Sequence, residues 1–131
     1  MTLRLQGDVA FLQEQLALRR TVTIAASEAV AQQAGVVMGK VLQQIVAADP
    51  RVTREPVPDA PGPSHSFSVS EEELITGDPT HVANEIVRQC RAVGAGHFLS
   101  IINMVSPKPA VLEGHLLFGS EVIPVLRRAA I

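Results

Sequence analysis

The residues in this sequence with chemistry to offer are four histidines, one cysteine and a scatter of carboxylates. His65, His81, His97 and His115 are far apart. None has the four-residue spacing that puts two imidazoles on one helical face, so no metal site is expected. Cys90 falls on an apolar stripe with Val82, Ile86 and Val93, which reads as a packed thiol rather than a nucleophile. Gly94-Ala95-Gly96 follows a helical pattern and precedes a strand, the reverse of the order a dinucleotide-binding turn needs. Glu71-Glu72-Glu73 is a solvated run with no second carboxylate at a defined distance for acid–base work. What remains is the end of an apolar segment. There Asn103 can aim an amide into a pocket lined by Met104 and Ser106, or simply cap a turn before Pro107.

The elements that must position these residues follow from periodicity. Val9, Leu12 and Leu16 share a helical face, predicting a short opening helix over Asp8 to Arg20. Thr21 to Ala26, TVTIAA, is short, β-branched and largely apolar, as a strand buried on both faces is. Ser27 then caps a helix predicted to run to about Ala48, with Val30, Ala34, Met38, Val41 and Ile45 facing inward and Asp49-Pro50 stopping it. Five prolines between residues 50 and 70 make that stretch a loop. Ser70 and Glu73 have capping-box spacing, but Glu71 to Leu74 holds only a short turn before Gly77.

Asp78-Pro79 opens the clearest helix, since aspartate caps amide donors and proline at the first position lacks only a donor that has no partner anyway. Gly94 suits a left-handed stop. His97 to Asn103 is the second strand, and a last helix begins near Ala110. Pro124 interrupts that helix on the face of Glu113, Ser120, Glu121 and Arg127, opposite Leu112, Leu116, Ile123 and Leu126. Strands separated by helices pair in parallel through right-handed crossovers, hence an α/β fold. Two strands are few, and their unpaired apolar edges invite association.

The bulk numbers fit one domain. The chain has 131 residues, 47% hydrophobic and 18% charged, which argues against overall disorder. Its formal charge of −2 and lack of a basic, aromatic-laced cluster leave no footprint for nucleic acid. A single cysteine precludes an internal disulfide, and neither a signal-peptide stretch nor about 18 unbroken apolar residues occurs. The expectation is a soluble cytoplasmic protein with no membrane partner.

Residues 74–103, ELITGDPTHVANEIVRQCRAVGAGHFLSIIN with its leading Glu73, followed by LLFGSEVIPVLRR, resemble the end of the bacterial luciferase-like flavin-dependent monooxygenases. Gly77-Asp78-Pro79 matches that family's helix-opening turn, and Ala95-Gly96 its turn into the last barrel strand. Leu117-Phe118-Gly119-Ser120-Glu121-Val122-Ile123-Pro124-Val125-Leu126 matches its closing helix. The likeness covers Arg19 to Arg128, the last third of such an enzyme. It implies a partial TIM barrel, with Thr21 to Ala26 and His97 to Asn103 as the last two parallel β-strands, incomplete on its own. It further implies FMN or a deazaflavin coenzyme and a small organic substrate at the carboxyl ends of the strands, where Asn103, Met104 and Ser106 stand. No catalytic residue is assigned by the resemblance, because the first six strands carry most of that chemistry. The chain is then inactive until a missing N-terminal barrel partner joins it. Alternatively, it is a non-catalytic interaction or structural protein, a homo-oligomer paired through its open sheet edges.

Overall fold

The computed structural model describes residues 14–48 and 71–131. The Pro-rich loop over 50–70, His65, Ser70 and residues 8–13 of the expected opening helix lie outside the described residues, and the helix is contradicted at its other end, where Ala17 to Arg20 are strand. In chain order the elements are strand β1 (Ala17–Ile24), helix α1 (Glu28–Ala48), a 3₁₀ turn (Glu71–Glu73), strand β2 (Leu74–Gly77) and helix α2 (Pro79–Val93). Strand β3 (His97–Ile102), helix α3 (Lys108–Leu117), a π turn (Phe118–Val122) and helix α4 (Ile123–Arg128) complete the chain. The fold is α/β, with one parallel sheet.

The two expected strands are adjacent and parallel, Ala17 opposite His97 through Val22 opposite Ile102. β1 begins four residues earlier than its β-branched core suggests. Leu18, Arg20, Val22 and Ile24 alternate along one face, so the helical period read across Leu16 gives way to a strand once β3 is there to pair with. The expectation of two strands missed β2. Its four residues pair with the other edge of β1, Thr21 opposite Leu74 through Ile24 opposite Gly77, giving the order β2-β1-β3.

That order fixes the layers. The crossovers from β1 to β2 and from β2 to β3 run in opposite directions, so right-handed connections place α1 and α2 on opposite faces. On one face Val22, Ile24 and Ile75 pack against Val82, Ala83, Ile86 and Cys90 of α2, together with Phe118, Val122 and Leu126. On the other, α1 lies over β2, where a Cβ on Gly35 would come 2.5 Å from Thr76 Cγ2. This explains why α1 buries Ala31 along with the predicted Met38, while the predicted Val30 and Ile45 are exposed. The small residues let the helix backbone approach the strand, and the bulky valines are turned outward.

The signals around α2 behave as read. Asp78 Oδ1 accepts the His81 N–H at 2.8 Å, Pro79 occupies the first turn, and Gly94 closes the helix at φ 72°. Val93, predicted on the inward stripe, is exposed, and Gln89 is buried. Its amide accepts from Arg20 Nε of β1 at 2.8 Å and donates to Glu72 O at 3.1 Å and Glu85 Oε1 at 3.0 Å, so the buried polar group is satisfied.

The last helix departs from expectation. Leu112 and Leu116 point outward, Leu116 at 73% exposure, while Gly114, Phe118, Val122 and Leu126 face inward. The cause is the π turn, in which the Ile123 N–H reaches back five residues to Phe118 O. A π turn adds one residue to the helical count, so the apolar face predicted at a constant 100° per residue does not continue through it. It also lies directly before Pro124, whose ring would crowd the carbonyl four residues back in a regular helix. Lys108–Arg128, 21 residues with a mean hydropathy of 1.2, is the one span among the described residues with the length and composition to cross a membrane. Its inward stripe is nevertheless part of the core.

Candidate functional site at the carboxyl ends of the strands

The carboxyl ends of three parallel strands bring Ile24, Gly77 and Ile102 to one rim, each followed by a turn. Asn103 stands at this rim, only 3% exposed and with φ 50°. Its backbone N–H still pairs with Val22 O at 2.9 Å, after which the chain turns away. The side chain takes over the ladder. Oδ1 accepts the Ile24 N–H at 2.8 Å, and Nδ2 donates to Ile24 O at 3.0 Å. Nδ2 also donates to Ala110 O at 2.8 Å, tying the first turn of α3 to the sheet. The amide thus acts as an extra peptide unit across from Ile24. Both of its donor hydrogens are committed, which leaves it a clasp rather than a group aimed at a ligand. Met104 is exposed in the following turn, and the Ser106 N–H donates to Asn103 O at 3.0 Å.

A second cluster at the rim had no signal in sequence spacing, because its members are 53 residues apart. Glu28, in the first turn of α1, reaches across Gly77 to the start of α2. Its Oε2 accepts the Asp78 N–H at 2.7 Å, and its Oε1 faces His81 Nδ1 at 2.9 Å. In a capping box, a glutamate three residues into the helix returns to the cap N–H. Here that position is His81, and Glu28 supplies the carboxylate from another helix. Gly77 makes room, since a Cβ there would lie 2.9 Å from Glu28 Oε2 and 2.8 Å from the His81 ring. A carboxylate only accepts, so Nδ1 carries the proton in this pair. The side chains are 50% and 43% exposed, which makes this an open dyad in a groove of ≈ 550 Å³ with Gln32, Thr76, Glu85 and Arg88.

Electrostatics at the groove is set by its carboxylates. The Asp78 N–H, then Gln32 and His81, hold the Glu28 carboxyl below its ordinary value of 4.5. The Arg88 guanidinium beside Glu85, bonded at 2.5 and 3.0 Å, holds that carboxyl at about 2. A depressed carboxylate contributes stability that is present above its unfolded-state value and lost as pH falls through its folded value. The melting temperature is therefore expected to drop as pH goes from 4.5 toward 2, and Glu28→Gln should flatten the upper part of that slope. A variant with an unchanged profile would show that Glu28 does not contribute.

The three described histidines stay apart. His97 Nε2 lies 2.9 Å from Glu14 O, and His115 Nδ1 donates to Val111 O at 2.8 Å one turn back along α3. Among the described residues no three metal-ligating side chains converge. Cys90 is fully buried in the core, and burial pushes its thiol up.

No protein-family model and no curated protein matches the chain. Among solved structures, that of apo-MsnO8, a luciferase-like monooxygenase, matches at 18% identity with a TM-score of 0.52. The match covers 86% of this chain and 33% of that one. The chain spans about one third of the length of that structure, and the likeness is one of α/β fold.

Proposed function

We propose that this chain is the C-terminal portion of a luciferase-like flavin-dependent monooxygenase, working with strands that it does not itself supply. The observation that supports this most is the match of most of the chain, with its adjacent parallel strands β1 and β3, to a third of MsnO8. The residues at the rim do not form a flavin cradle unaided. The Asn103 amide is spent on Ile24 and Ala110, the open side of Gly77 is filled by Glu28 and His81, and Arg88 is held by Glu85. FMN or a deazaflavin, and a small organic substrate, are then held mainly by the remaining strands, with Met104, Ser106 and the Glu28–His81 pair on the rim beside them. A chimera joining the first two thirds of MsnO8 to this chain tests the reading. It is expected to be soluble, to melt cooperatively and to quench FMN fluorescence in a titration run beside intact MsnO8 as the control. An insoluble chimera, or a folded one that leaves FMN fluorescence untouched while intact MsnO8 quenches it, would count against the proposal.

A second reading, a non-catalytic protein that associates through open sheet edges, is favoured by one observation. β3 pairs only with β1 among the described residues, so its far edge is unoccupied.

A further inference from the structure

The two edges of the sheet are not alike. The edge of β2 is short and guarded: Gln32 Nε2 donates to the outward-facing Thr76 O at 3.2 Å, and Glu71, Glu72, Glu85 and Arg88 line the groove beside it. Charges and a capped carbonyl are how natural sheets prevent strand addition. Among the described residues the edge of β3 has no capped carbonyl and no carboxylate beside it, and Arg127 is the one charged residue lining its cleft. Asn103 and His97 donate their N–H groups to Val22 O and Leu16 O, so odd-numbered residues face β1. By the alternation of a strand, Phe98, Ser100 and Ile102 turn their N–H and C=O outward. His97–Ile102, HFLSII, contains no Asp, Glu, Lys or Arg, and Leu99 is 57% exposed. A cleft of ≈ 480 Å³ walled by Phe98, Leu99, Phe118, Ile123 and Leu126 adjoins this edge.

Resting on the reading that the chain associates through an open sheet edge, we infer that the occupant is a second copy, its β3 antiparallel to the first about a two-fold axis at Ser100. The segment is complementary to itself in that register. Phe98 falls opposite Ile102 of the second copy and Leu99 opposite its Ile101, each pair on one face, with Ser100 opposite itself. No charge faces a like charge, and aromatic–aliphatic and aliphatic cross-strand pairs are the stabilising kind. Antiparallel pairing about a two-fold closes after two copies, whereas a parallel addition is heterologous and leaves a further edge open. The dimer also uses the edge that a further barrel strand would need, so the two associations exclude each other.

The test uses the full chain. Sedimentation velocity across a concentration series should show a monomer–dimer equilibrium, and Leu99→Lys, a change at an exposed side chain, should raise its dissociation constant at least tenfold with an unchanged melting curve. Ser100→Cys should give a disulfide-linked dimer on mild oxidation, since opposed residues in such a pair have Cα atoms about 5.5 Å apart. His97→Cys, whose opposite residue is Asn103 of the second copy, should not, and neither should the wild type with its buried Cys90. Dimers that persist without the Ser100→Cys cross-link would overturn the β3 assignment while leaving edge association standing. A wild-type chain that is monomeric throughout would overturn both.

Discussion

Asn103→Ala is expected to destabilise the fold by about 3 kcal/mol or more, because it deletes a side chain that satisfies three buried or part-buried backbone groups. The Ile24 N–H and C=O lie at the end of the central strand, where no other strand residue reaches them, and an unsatisfied buried backbone group costs about 1–3 kcal/mol. The backbone adds a smaller part, since φ 50° suits asparagine better than alanine. Two companions separate these contributions in urea unfolding. Asn103→Gly relieves the backbone and should recover only about 1 kcal/mol of the loss. Asn103→Asp keeps the acceptor for Ile24 but sets a carboxylate against the carbonyls of Ile24 and Ala110, so it should be nearly as damaging as alanine. If alanine costs less than about 1 kcal/mol, water replaces the amide and the clasp is not structural.

Gly114→Ala is expected to cost about 2–3 kcal/mol although alanine is the better helix former. Gly114 is buried on the inward face of α3, and an added methyl would collide with the Asn103 amide, with Asn103 Cγ at 2.9 Å and Ile102 Cγ2 at 3.2 Å. The amide cannot swing aside without breaking its bonds to Ile24 and Ala110. The penalty should therefore depend on Asn103 itself. In the Asn103→Ala background the same methyl enters vacated space, and the double-mutant cycle should show about 1 kcal/mol or more of coupling between the sites. Additive losses would place the strain elsewhere, against Ile102.

Where local chemistry decides the structure, the sequence was readable. The Asp78-Pro79 start and the Gly94 stop of α2 follow from orphan amide donors and a left-handed cap, and both were visible in the residues alone. β3 was legible from its apolar run. What escaped was decided by distant partners. Leu74–Gly77 is too short to announce itself and is a strand because β1 has an edge to offer. The inward face of α1, with Ala31 and Met38 buried, was set by Gly35 fitting over Thr76 and not by its valines. The face of the last helix turned on one extra residue in the π turn. At the rim, Asn103 stood out in the sequence as pocket lining or as the cap of a turn, and its amide closes the fold. Glu28 and His81 could not be paired from sequence, since nothing in either segment names the other.

The central place of β1 has a consequence in time. The bond from the Ile24 N–H to Asn103 Oδ1 joins residues 79 apart, so β1 leaves the ribosome long before its longer neighbour exists. At about 5–20 residues per second, translation leaves it without β3 for roughly 4–16 s, far longer than a nascent chain takes to collapse. During that wait TVTI is an apolar, β-branched stretch whose only later partners are β2 and β3. For this chain the hazard of aggregation belongs to synthesis, and it falls on the strand that the finished sheet covers best.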